Sequence, residues 1–443
     1  MNQKNSQPEL IKKLNRISLR KEKHFSPSVI APANLDPDND YLLKGYYFEN
    51  TNTYNIVDFT EVYETKKVWH HTVFDRKAAC TKGVFLGTSS KKLLEQRLDQ
   101  EFKNISAESV ENIISFLKSH ELARDIPSDS FILGAYQRDE QLFFQLSNKG
   151  IEQCKLENYS LQLDVFSRNT GILETDMMQD KTAIISGCGS VGSYVDLELA
   201  RSGVGRFLLI DNDILSYANV CRHQCNITDV GNFKTNAVAE RIRLINPEAR
   251  VECQNEIIEN VLPESFKRNC NKDSIIIGCA DNRQGDLFAN KIAAHYRIPM
   301  VSIGFWERAF AGEIFYWIPG QKELACYKCF TEALGDLSAR ESVNRRFYTT
   351  QQDLSKVSFM PGISVDINFV TNVGLKIILD ILNRNNEKFV PRVLDDLTQF
   401  TLVSNTNKKE IGGEQAEIFS YPLQVTTSIE VDKNRNCKLC AKQ

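Results

Sequence analysis

The chain has 443 residues, of which 42% are hydrophobic and 25% are charged, and its formal net charge is −3. This length provides two or three domains with cores of their own, and the balanced charge indicates neither a nucleic-acid-binding surface nor a basic membrane patch. The sequence has no apolar run of about 18 residues that would predict a transmembrane helix, and its polar start lacks the apolar stretch of a signal peptide. Twelve cysteines in such a chain favour a reducing compartment, so we expect a cytoplasmic protein with no membrane or nucleic-acid partner.

The first part of the chain predicts an arm followed by a small domain. Residues 1 to about 40 are polar and contain prolines that interrupt helices, which predicts a flexible N-terminal arm. From about residue 41 to 165, two apolar stripes at helical spacing precede two short apolar runs, which predicts an α+β domain with two helices and a β-hairpin. The stripes are Leu94, Leu98 and Phe102, then Val110, Ile113, Ile114 and Leu117 after the cap Ser106, and the hairpin joins 131–136 to 141–146. This order suits a winged-helix-like module that binds a partner by strand addition, and it suits a packing domain without a ligand equally well.

From about residue 166 to the C-terminus, the pattern alternates between strands and helices. Short runs rich in β-branched residues are separated by helical segments, which predicts a Rossmann-like, doubly wound and mostly parallel α/β sheet. The predicted strands are 182–186, 206–210, 274–278 and 300–303. Because ligands bind at the carboxyl ends of such strands, we expect the residues that carry chemistry to lie at those ends.

A glycine-rich loop follows the first of these strands. Gly187 allows a tight turn, Gly189 lets a phosphate approach the backbone, and Gly192 lets the next helix pack close to the strand. That helix begins with Ser190 and Val191, and its N-terminus offers N–H groups and partial positive charge to the same phosphate. The loop therefore predicts a bound nucleotide, although a dehydrogenase would have it too.

Charged residues follow at the ends of the next strands. Asp211, with Asp213 beside it, follows the second strand, where a carboxylate can accept hydrogen bonds from both ribose hydroxyls. Arg222 and Lys234 are fixed cations that a nicotinamide cofactor does not need, whereas a triphosphate attacked at its α-phosphorus does, because charge grows on the leaving pyrophosphate. Asp281 follows the third strand and can hold magnesium, which prefers oxygen ligands. Each charge alone would be an ordinary surface residue, but all three in this order predict ATP with magnesium.

These motifs together resemble the ThiF/MoeB/HesA family, which shares its fold with ubiquitin-activating enzymes, over roughly residues 166–443. The family adenylates the C-terminal carboxylate of a small β-grasp protein or a peptide. The residues that carry the resemblance are Ser167–Asn169, the glycine loop, Leu209–Asp213, Asn219–Arg222, Val230–Lys234, Asn246–Pro247, Asp281–Asn282 and two CxxC pairs. One departure is that Arg283 directly follows Asn282, while Asp286 stands near the position where the family often has an arginine.

The resemblance implies roles for the matching residues. The nucleotide site that it implies consists of Asp211 for ribose, Asn219, Arg222 and Lys234 for phosphate, and Asp281 for magnesium, with Asn282 beside it. Arg168 matches an arginine that reaches into the partner subunit's active site, so the resemblance also implies a homodimer. Arg168, Arg222, Lys234 and Asp281 are then the residues expected to act in catalysis.

Two CxxC pairs, Cys326 with Cys329 and Cys437 with Cys440, predict a metal site. Four thiolates from two such turns form a closed tetrahedral zinc site, with Zn–S bonds of about 2.3 Å. A redox pair is the alternative, but it needs no second copy and normally lies at a helix start. We therefore expect a structural zinc that fixes the C-terminal part of the chain to a segment far upstream.

The segment after the first of these pairs lacks a thiol. Family members that pass the adenylate onward usually use a cysteine there, but the sequence has none between Phe330 and Asn436. Either the chemistry ends at the acyl adenylate, which then meets an outside nucleophile, or another residue attacks it. Ser355 and Ser358 lie in the segment expected to cross over the active site and are candidate nucleophiles, although ordinary loop serines are the simpler interpretation.

The leading hypothesis is an enzyme that uses ATP to adenylate the C-terminal carboxylate of a ubiquitin-like protein, for transfer to a conjugating enzyme or another acceptor. Two alternatives stay open: a peptide-adenylating enzyme of the microcin type, which also needs no catalytic cysteine, and a nucleotide-binding scaffold that has lost turnover. The N-terminal region is larger than a peptide clamp needs to be, which favours the globular partner. The two cations and the CxxC pairs disfavour an oxidoreductase.

Overall fold

The computed structural model describes residues 25–61, 80–122, 131–147, 150–160, 164–280, 282–306, 309, 311–334, 362–389, 392–405 and 426–440. The chain divides into two compact units, Met1–Asp164 and Val165–Gln443. Each unit contains one eight-stranded sheet in its described part. None of the helices in these ranges is both long enough and apolar enough to cross a membrane.

The N-terminal unit is a mixed sheet with helices packed on one face. Its elements within the described ranges are β1 (Ser28–Pro32), β2 (Tyr41–Phe48), β3 (Thr53–Glu61), β4 (Cys80–Leu86), α1 (Thr88–Leu98), α2 (Val110–Ser119), β5 (Phe131–Gln137), β6 (Glu140–Ser147), β7 (Gly150–Gln153) and β8 (Lys155–Tyr159). The strand order is β7-β6-β5-β4-β2-β3-β1-β8. Apolar residues of α1 and α2, such as Leu94, Ile113 and Phe116, share one hydrophobic core with the sheet.

The two outer strands in this order are successive halves of one segment. β7 pairs with β6, β8 pairs with β1, and only Cys154 separates the two halves. The Cys154 amide also donates to Phe143 O of β6 (2.8 Å), and Asn158 Nδ2 of β8 donates to Gln141 Oε1 of β6 (3.4 Å). The continuous segment 150–159 therefore contacts strands near both ends of the strand order, β6 through β7 and β1 through β8.

Three details of this unit differ from the sequence prediction. The flexible arm is wrong for Ser28–Pro32, which forms β1 between β3 and β8 because its alternate side chains are buried in the core; residues 1–24 lie outside the described ranges. The first helix ends at Leu98, where Asp99 adopts a left-handed conformation, so Phe102 lies in a separate 3-10 turn. Both helices and the hairpin are present, but they belong to a sheet much larger than that of a winged-helix module.

The C-terminal unit is an α/β domain. Its elements within the described ranges are α3 (Thr175–Gln179), β9 (Thr182–Ser186), α4 (Ser190–Arg201), β10 (Arg206–Ile210), α5 (Lys234–Ile245), β11 (Arg250–Gln254), α6 (Pro263–Asn269), β12 (Ser274–Gly278), α7 (Arg283–Tyr296), β13 (Met300–Phe305), β14 (Ala311–Trp317), α8 (Tyr327–Leu334), α9 (Ser364–Leu382), β15 (Phe400–Ser404) and β16 (Thr426–Ile429). The strand order is β11-β10-β9-β12-β13-β14-β15-β16. The strands from β11 to β13 are parallel, and β14 to β16 extend the sheet in antiparallel pairs.

Helices cover both faces of this sheet. Ile185 and Leu209 face a core shared with α4, α5 and α9, whereas the neighbouring Ile184 and Leu208 face a core shared with α7 and α8. The predicted strands and the doubly wound, mostly parallel sheet are confirmed. The parallel arrangement places the carboxyl ends of β9, β10 and β12 side by side, where the predicted site residues follow them.

Candidate nucleotide site and metal centre

The glycine loop joins β9 to α4 in a shape that requires two of its glycines. Gly187 has φ +97°, and a Cβ there would lie 2.9 Å from the backbone that follows β12. A Cβ on Gly192 would overlap Gly187 O, so a side chain would collide with the backbone. A Cβ on Gly189 would meet nothing within 4 Å, so the loop is open at this point. α4 begins beside the opening at Ser190, where its first N–H groups carry partial positive charge, while the Val191 side chain is buried in the core.

The sequence pattern does not predict His223, which holds the glycine loop in place. Its buried ring donates Nε2–H to Cys188 O (2.8 Å), and its Nδ1 accepts a hydrogen bond from the Cys225 amide (3.0 Å). These partners assign the neutral tautomer with hydrogen on Nε2. Burial lowers the pKa of His223 to about 4, which keeps the ring neutral at physiological pH. The only signal for this residue in the sequence is its position directly after Arg222.

Asp211 lies at the carboxyl end of β10 beside the loop. Its Oδ2 accepts from the Cys188 amide and its Oδ1 accepts from the Asp213 amide, each at 2.8 Å. A carboxylate oxygen that accepts one hydrogen bond can still accept a second, such as one from a ribose hydroxyl. Burial raises the pKa of Asp211, and the Lys234 ammonium opposes this shift. The structure thus brings Asp211 to the loop, and its ribose-binding role stays a prediction.

Lys234 adds a positive charge to the same cluster. It is the first residue of α5 and is only 7% exposed. Its Nζ lies 2.9 Å from Asp213 Oδ2, and its amide donates to Asp213 O at 3.0 Å. Because Asp213 in turn donates to Asp211, one chain of contacts connects the lysine, both carboxylates and the glycine loop.

Asn219 and Arg222 lie on the segment that His223 ties to the loop. Asn219 Oδ1 accepts from the amide and the hydroxyl of Ser216, both at 2.9 Å, so Nδ2 is the end of its amide that can donate to a phosphate. Arg222 is half-buried, and its Nη1 would lie 3.9 Å from a Cβ on Gly362, just before α9. The two residues are therefore positioned by the same turn, although their phosphate contacts stay predictions.

Asp281 lies outside the described residues, and its neighbours define the start of α7. The Ala280 backbone lies against Gly187, because a Cβ on Gly187 would lie 2.9 Å from Ala280 N. Asn282 Oδ1 accepts from the Gly285 amide at 2.7 Å, so this predicted nucleotide-site residue caps α7. The described neighbours of Asp281 thus lie at two defined places, since Ala280 contacts the glycine loop and Asn282 caps α7.

Charged side chains at the start of α7 point into the interior. Arg283 Nη2 lies 3.3 Å from Glu313 Oε1 on β14, and the Ser302 hydroxyl of β13 donates to Asp286 Oδ2 at 2.8 Å. Asp286 packs so closely against Gly278 that a Cβ on this glycine would overlap Asp286 Oδ1. Arg283 and Asp286, the two residues that depart from the family pattern, therefore form contacts inside the unit and do not lie on a solvated face of α7.

Arg168 is exposed on a turn that other residues anchor. Phe166 is buried beneath this turn, and Asn169 Nδ2 donates to Arg201 O at the end of α4 (2.8 Å). The backbone around Arg168 is therefore held in place, and Arg168 itself is exposed. Ser355 and Ser358 lie outside the described residues, so their role as nucleophiles stays a prediction.

The four cysteines of the two CxxC pairs form one buried cluster. Their sulfur atoms all lie within 4.8 Å of one another, and three Sγ–Sγ distances are 3.9 Å (Cys326–Cys329), 3.6 Å (Cys326–Cys437) and 3.7 Å (Cys329–Cys440). A tetrahedron with Zn–S bonds of about 2.3 Å has edges of about 3.8 Å, so these distances suit zinc. Burial alone raises the pKa of the Cys437 thiol, but backbone N–H groups of Cys440 and Leu439 lower it to about 7. The cluster therefore has the donor set and the shape of a structural zinc site.

Comparison with known proteins adds a family and several relatives. The ThiF family model matches residues 159–406. Ubiquitin-like modifier-activating enzyme 5 of Drosophila ananassae is 27% identical over 177 residues, covering 38% of this chain and 44% of the relative. The protein of the same name from Dictyostelium discoideum is 30% identical over 161 residues, covering 34% of this chain and 42% of the relative. The chain thus spans less than half the length of these two relatives.

Solved structures of lower similarity include MccB of E. coli. The MccB structure with ATP is 18% identical, with a TM-score of 0.43, and the match covers 62% of this chain and 73% of that chain. The structure of the microcin C7 biosynthetic enzyme MccB with N-formylated MccA is 17% identical, with a TM-score of 0.43, over 78% of this chain and 85% of that chain.

Proposed function

The chain belongs to the ThiF family, and we propose on this basis that its C-terminal unit uses ATP to adenylate the C-terminal carboxylate of a ubiquitin-like protein. The observation that carries the proposal is the connected cluster of glycine loop, Asp211, Asp213 and Lys234 at one edge of the sheet. A buried lysine beside a ribose-binding carboxylate suits a triphosphate, whose charge must be neutralised, better than a nicotinamide dinucleotide. The partner class comes from the names of relatives, which are ubiquitin-like modifier-activating enzymes.

In this proposal the nucleotide lies across the open loop. Asp211 accepts from the ribose, the phosphates lie over Gly189 and the N-terminus of α4, and Arg222 and Lys234 face the β- and γ-phosphates. Carboxylate oxygens are the ligands that magnesium prefers, and this edge carries them at fixed positions, so the site suits the ion. Asp281 would hold it, and the ion would neutralise charge on the triphosphate when bound.

The reaction is an exchange of one P–O bond for another. An oxygen of the partner's C-terminal carboxylate bonds to the α-phosphorus, and the bond from that phosphorus to the bridging oxygen of pyrophosphate breaks. The carboxylate is already ionised at neutral pH, so no general base is needed. Arg222 and Lys234 stabilise the negative charge that develops on the leaving pyrophosphate, and because α5 and the His223 turn fix them, little reorganisation is required.

We propose further that the enzyme is a homodimer in which Arg168 completes the site of the partner subunit. Its support is the exposed Arg168 and a set of exposed apolar side chains on the same unit, among them Tyr217 (73% exposed) and Ile227 (63% exposed). Mixing Arg168→Ala with Lys234→Ala tests it. If Arg168 acts across the dimer, mixed dimers regain one intact site, and about a quarter of the activity returns after subunit exchange; no recovery would place Arg168 in its own site.

The adenylate is proposed to pass to a nucleophile outside this chain, such as a conjugating enzyme, because the sequence has no cysteine between Phe330 and Asn436. Denaturing gels of the reaction mixture test this step. We expect no covalent adduct of the enzyme with its partner, with or without reductant. A reductant-sensitive adduct would reveal a thioester on another cysteine, and a reductant-resistant adduct lost in Ser355→Ala or Ser358→Ala would reveal an oxyester.

The substrate is tested by product analysis with defined carboxylates. Wild-type protein is incubated with ATP and magnesium and either a ubiquitin-like protein ending in a free glycine, the same protein with an amidated C-terminus, or a short peptide. With the free carboxylate of the ubiquitin-like protein we expect pyrophosphate and the acyl adenylate, which releases AMP when water or an acceptor attacks it, and with the amide we expect neither product. Turnover with the peptide alone would make the chain a peptide-adenylating enzyme, and ATP binding without turnover for any carboxylate would make it a scaffold.

A further inference from the structure

The first CxxC turn of the metal centre contacts the start of α7, which is the helix that follows the Asp-Asn pair of the nucleotide site. Tyr327 lies between the ligands Cys326 and Cys329 and is fully buried. Its phenol oxygen accepts from Arg283 Nη1 and donates to Asp286 Oδ2, both at 3.2 Å. Its amide donates to Asn290 Oδ1 of the same helix at 3.1 Å. Tyr327 of the metal-binding turn therefore hydrogen-bonds to both charged side chains, Arg283 and Asp286, in the first turn of α7.

The residue after the second cysteine contacts the same arginine. The guanidinium carbon of Arg283 lies 5.9 Å from the centre of the Phe330 ring, within the range of a cation–π contact. Phe330 is itself stacked on Phe315 of β14, with ring centres 4.8 Å apart. Both residues that directly follow a cysteine of this turn, Tyr327 and Phe330, thus hold Arg283 in position.

We propose that the metal centre positions the nucleotide site through Tyr327. When a metal holds the thiols of Cys326 and Cys329, the backbone of Tyr327 between them is fixed. Its phenol then holds the side chains of Arg283 and Asp286 in place through its two hydrogen bonds. Without the metal, this turn relaxes, and the partly buried Arg283 and the buried Asp286 lose a shared hydrogen-bond partner. The cap that Asn282 forms on α7 then loosens. The nucleotide role of Asn282 rests on the proposed function, whereas its coupling to the metal centre does not.

Thermodynamic linkage makes the coupling reciprocal. If metal binding tightens the start of α7 and thereby favours ATP binding, ATP binding must retain the metal by the same factor. A purely structural metal, far from the nucleotide, would stabilise the unit without this exchange. The two cases therefore differ in a measurable way even though both predict a stable holoprotein.

The primary test is hydrogen–deuterium exchange of the full-length zinc-loaded protein without nucleotide, comparing wild type with Tyr327→Phe. This change removes one oxygen and keeps the ring and the cysteines. We expect the amide of Gly285, which the Asn282 cap protects, to exchange about fivefold or more faster in Tyr327→Phe, and at least as fast in wild type after zinc removal by a chelator. Tyr296→Phe, at the opposite end of α7, is the matched control and should exchange like wild type. Protection of Gly285 in Tyr327→Phe equal to that in wild type would overturn the proposal.

A second measurement separates this inference from the proposed function. In equilibrium competition with a chromogenic chelator, ATP with magnesium should raise the zinc affinity of wild type by about fivefold or more, and this effect should vanish in Tyr327→Phe but persist in Tyr296→Phe. Faster exchange in Tyr327→Phe without any ATP effect on the zinc of wild type would sustain the contact between Tyr327 and α7 but contradict the coupling of the metal to the nucleotide site. A calorimetric titration of ATP into the same wild-type protein then tests the proposed function separately. An ATP effect on zinc affinity that is identical in all three proteins would sustain ATP binding and contradict the role of Tyr327.

Discussion

The two candidate ligand sites of the C-terminal unit differ in how accessible they are. The glycine loop at the carboxyl ends of β9 and β10 is open, whereas the four cysteines form a buried cluster. A Cβ on Gly189 would have no neighbour within 4 Å, but the four thiols lie within 4.8 Å of one another and all are buried. Backbone groups, Asp211 and His223 hold the open edge, while aromatic side chains surround the cluster. The difference matches what two kinds of ligand require: an exchangeable nucleotide must enter and leave, and a structural metal must stay out of water.

Breaking the closed site should have the largest effect on stability. Cys437→Ser removes one of four thiolates, so the metal should be lost and the free energy of unfolding should fall by at least about 4 kcal/mol. Metal content after dialysis and urea unfolding measure the two effects. Cys270→Ser, a partly buried thiol outside the cluster, is the control and should keep its metal. If Cys437→Ser keeps as much zinc as wild type after dialysis, the four cysteines do not form the closed metal site described.

Filling the tight side of the open loop should have the next largest effect. In Gly192→Ala the new Cβ would overlap Gly187 O, which only a shift of the backbone can relieve. We expect a loss of about 3 kcal/mol in the free energy of unfolding, together with loss of ATP binding. Denaturant unfolding measures the first and calorimetric titration the second. A Gly192→Ala protein as stable as wild type would show that this turn is not the rigid support described.

The histidine that holds the loop should make it sensitive to acid. Burial lowers the pKa of His223 from 6.5 to about 4, so the unfolded chain takes up a proton on this ring at pH values where the folded unit does not. The stability contributed by the neutral ring is present above pH 6.5 and is lost as the pH falls toward 4, by up to about 3 kcal/mol. In His223→Gln, which keeps a donor for Cys188 O and does not titrate, this loss should be absent.

The measurement for His223 is the difference between the unfolding free energies of the two proteins at about pH 7 and about pH 4.5. A difference is needed because burial raises the pKa of Asp196 and Asp211, and these groups act in the opposite direction. The gap between wild type and His223→Gln should change between the two pH values. If the gap is the same at both pH values, the pKa of His223 does not differ between the folded and unfolded states, which would contradict the prediction.

The smallest effect on stability should come from the open side of the loop. A Cβ on Gly189 meets no atom, so Gly189→Ala should leave the free energy of unfolding within about 0.5 kcal/mol of wild type. The methyl group would occupy the space where a phosphate approaches the backbone, so ATP should bind about tenfold more weakly. Calorimetric titration of ATP with magnesium measures this. Unchanged affinity would mean that the phosphates do not lie over Gly189.

The sequence predicts the open edge better than the closed contacts because its signals are local. A strand, a glycine loop and the next strand's aspartate all lie within one β-α-β unit, so the pattern is sufficient to place Gly187 and Asp211 together. The four cysteines are predicted for another reason, since their spacing is itself the signature of the metal. His223 escapes prediction because its role depends on a backbone carbonyl, which no side-chain pattern records.

Contacts between distant segments are the part that the sequence does not predict. β1 pairs with β8 across more than a hundred residues, and Ser28–Pro32 alone looks like part of a polar arm. The hydrogen bonds of Tyr327 to Arg283 and Asp286 join segments that are more than forty residues apart in the sequence. Helical and strand periodicity describe which face of an element is buried but not which element covers it.

The central claim is that the open edge activates a carboxylate at the α-phosphorus of ATP, and pyrophosphate exchange tests it most directly. Labelled pyrophosphate is incubated with the protein, ATP, magnesium and a ubiquitin-like protein with a free C-terminal glycine. We predict that label enters ATP, that it does not enter when the C-terminus is amidated, and that Lys234→Ala abolishes the exchange while leaving the fold intact. Formation of ADP and phosphate without any exchange of pyrophosphate would contradict the account.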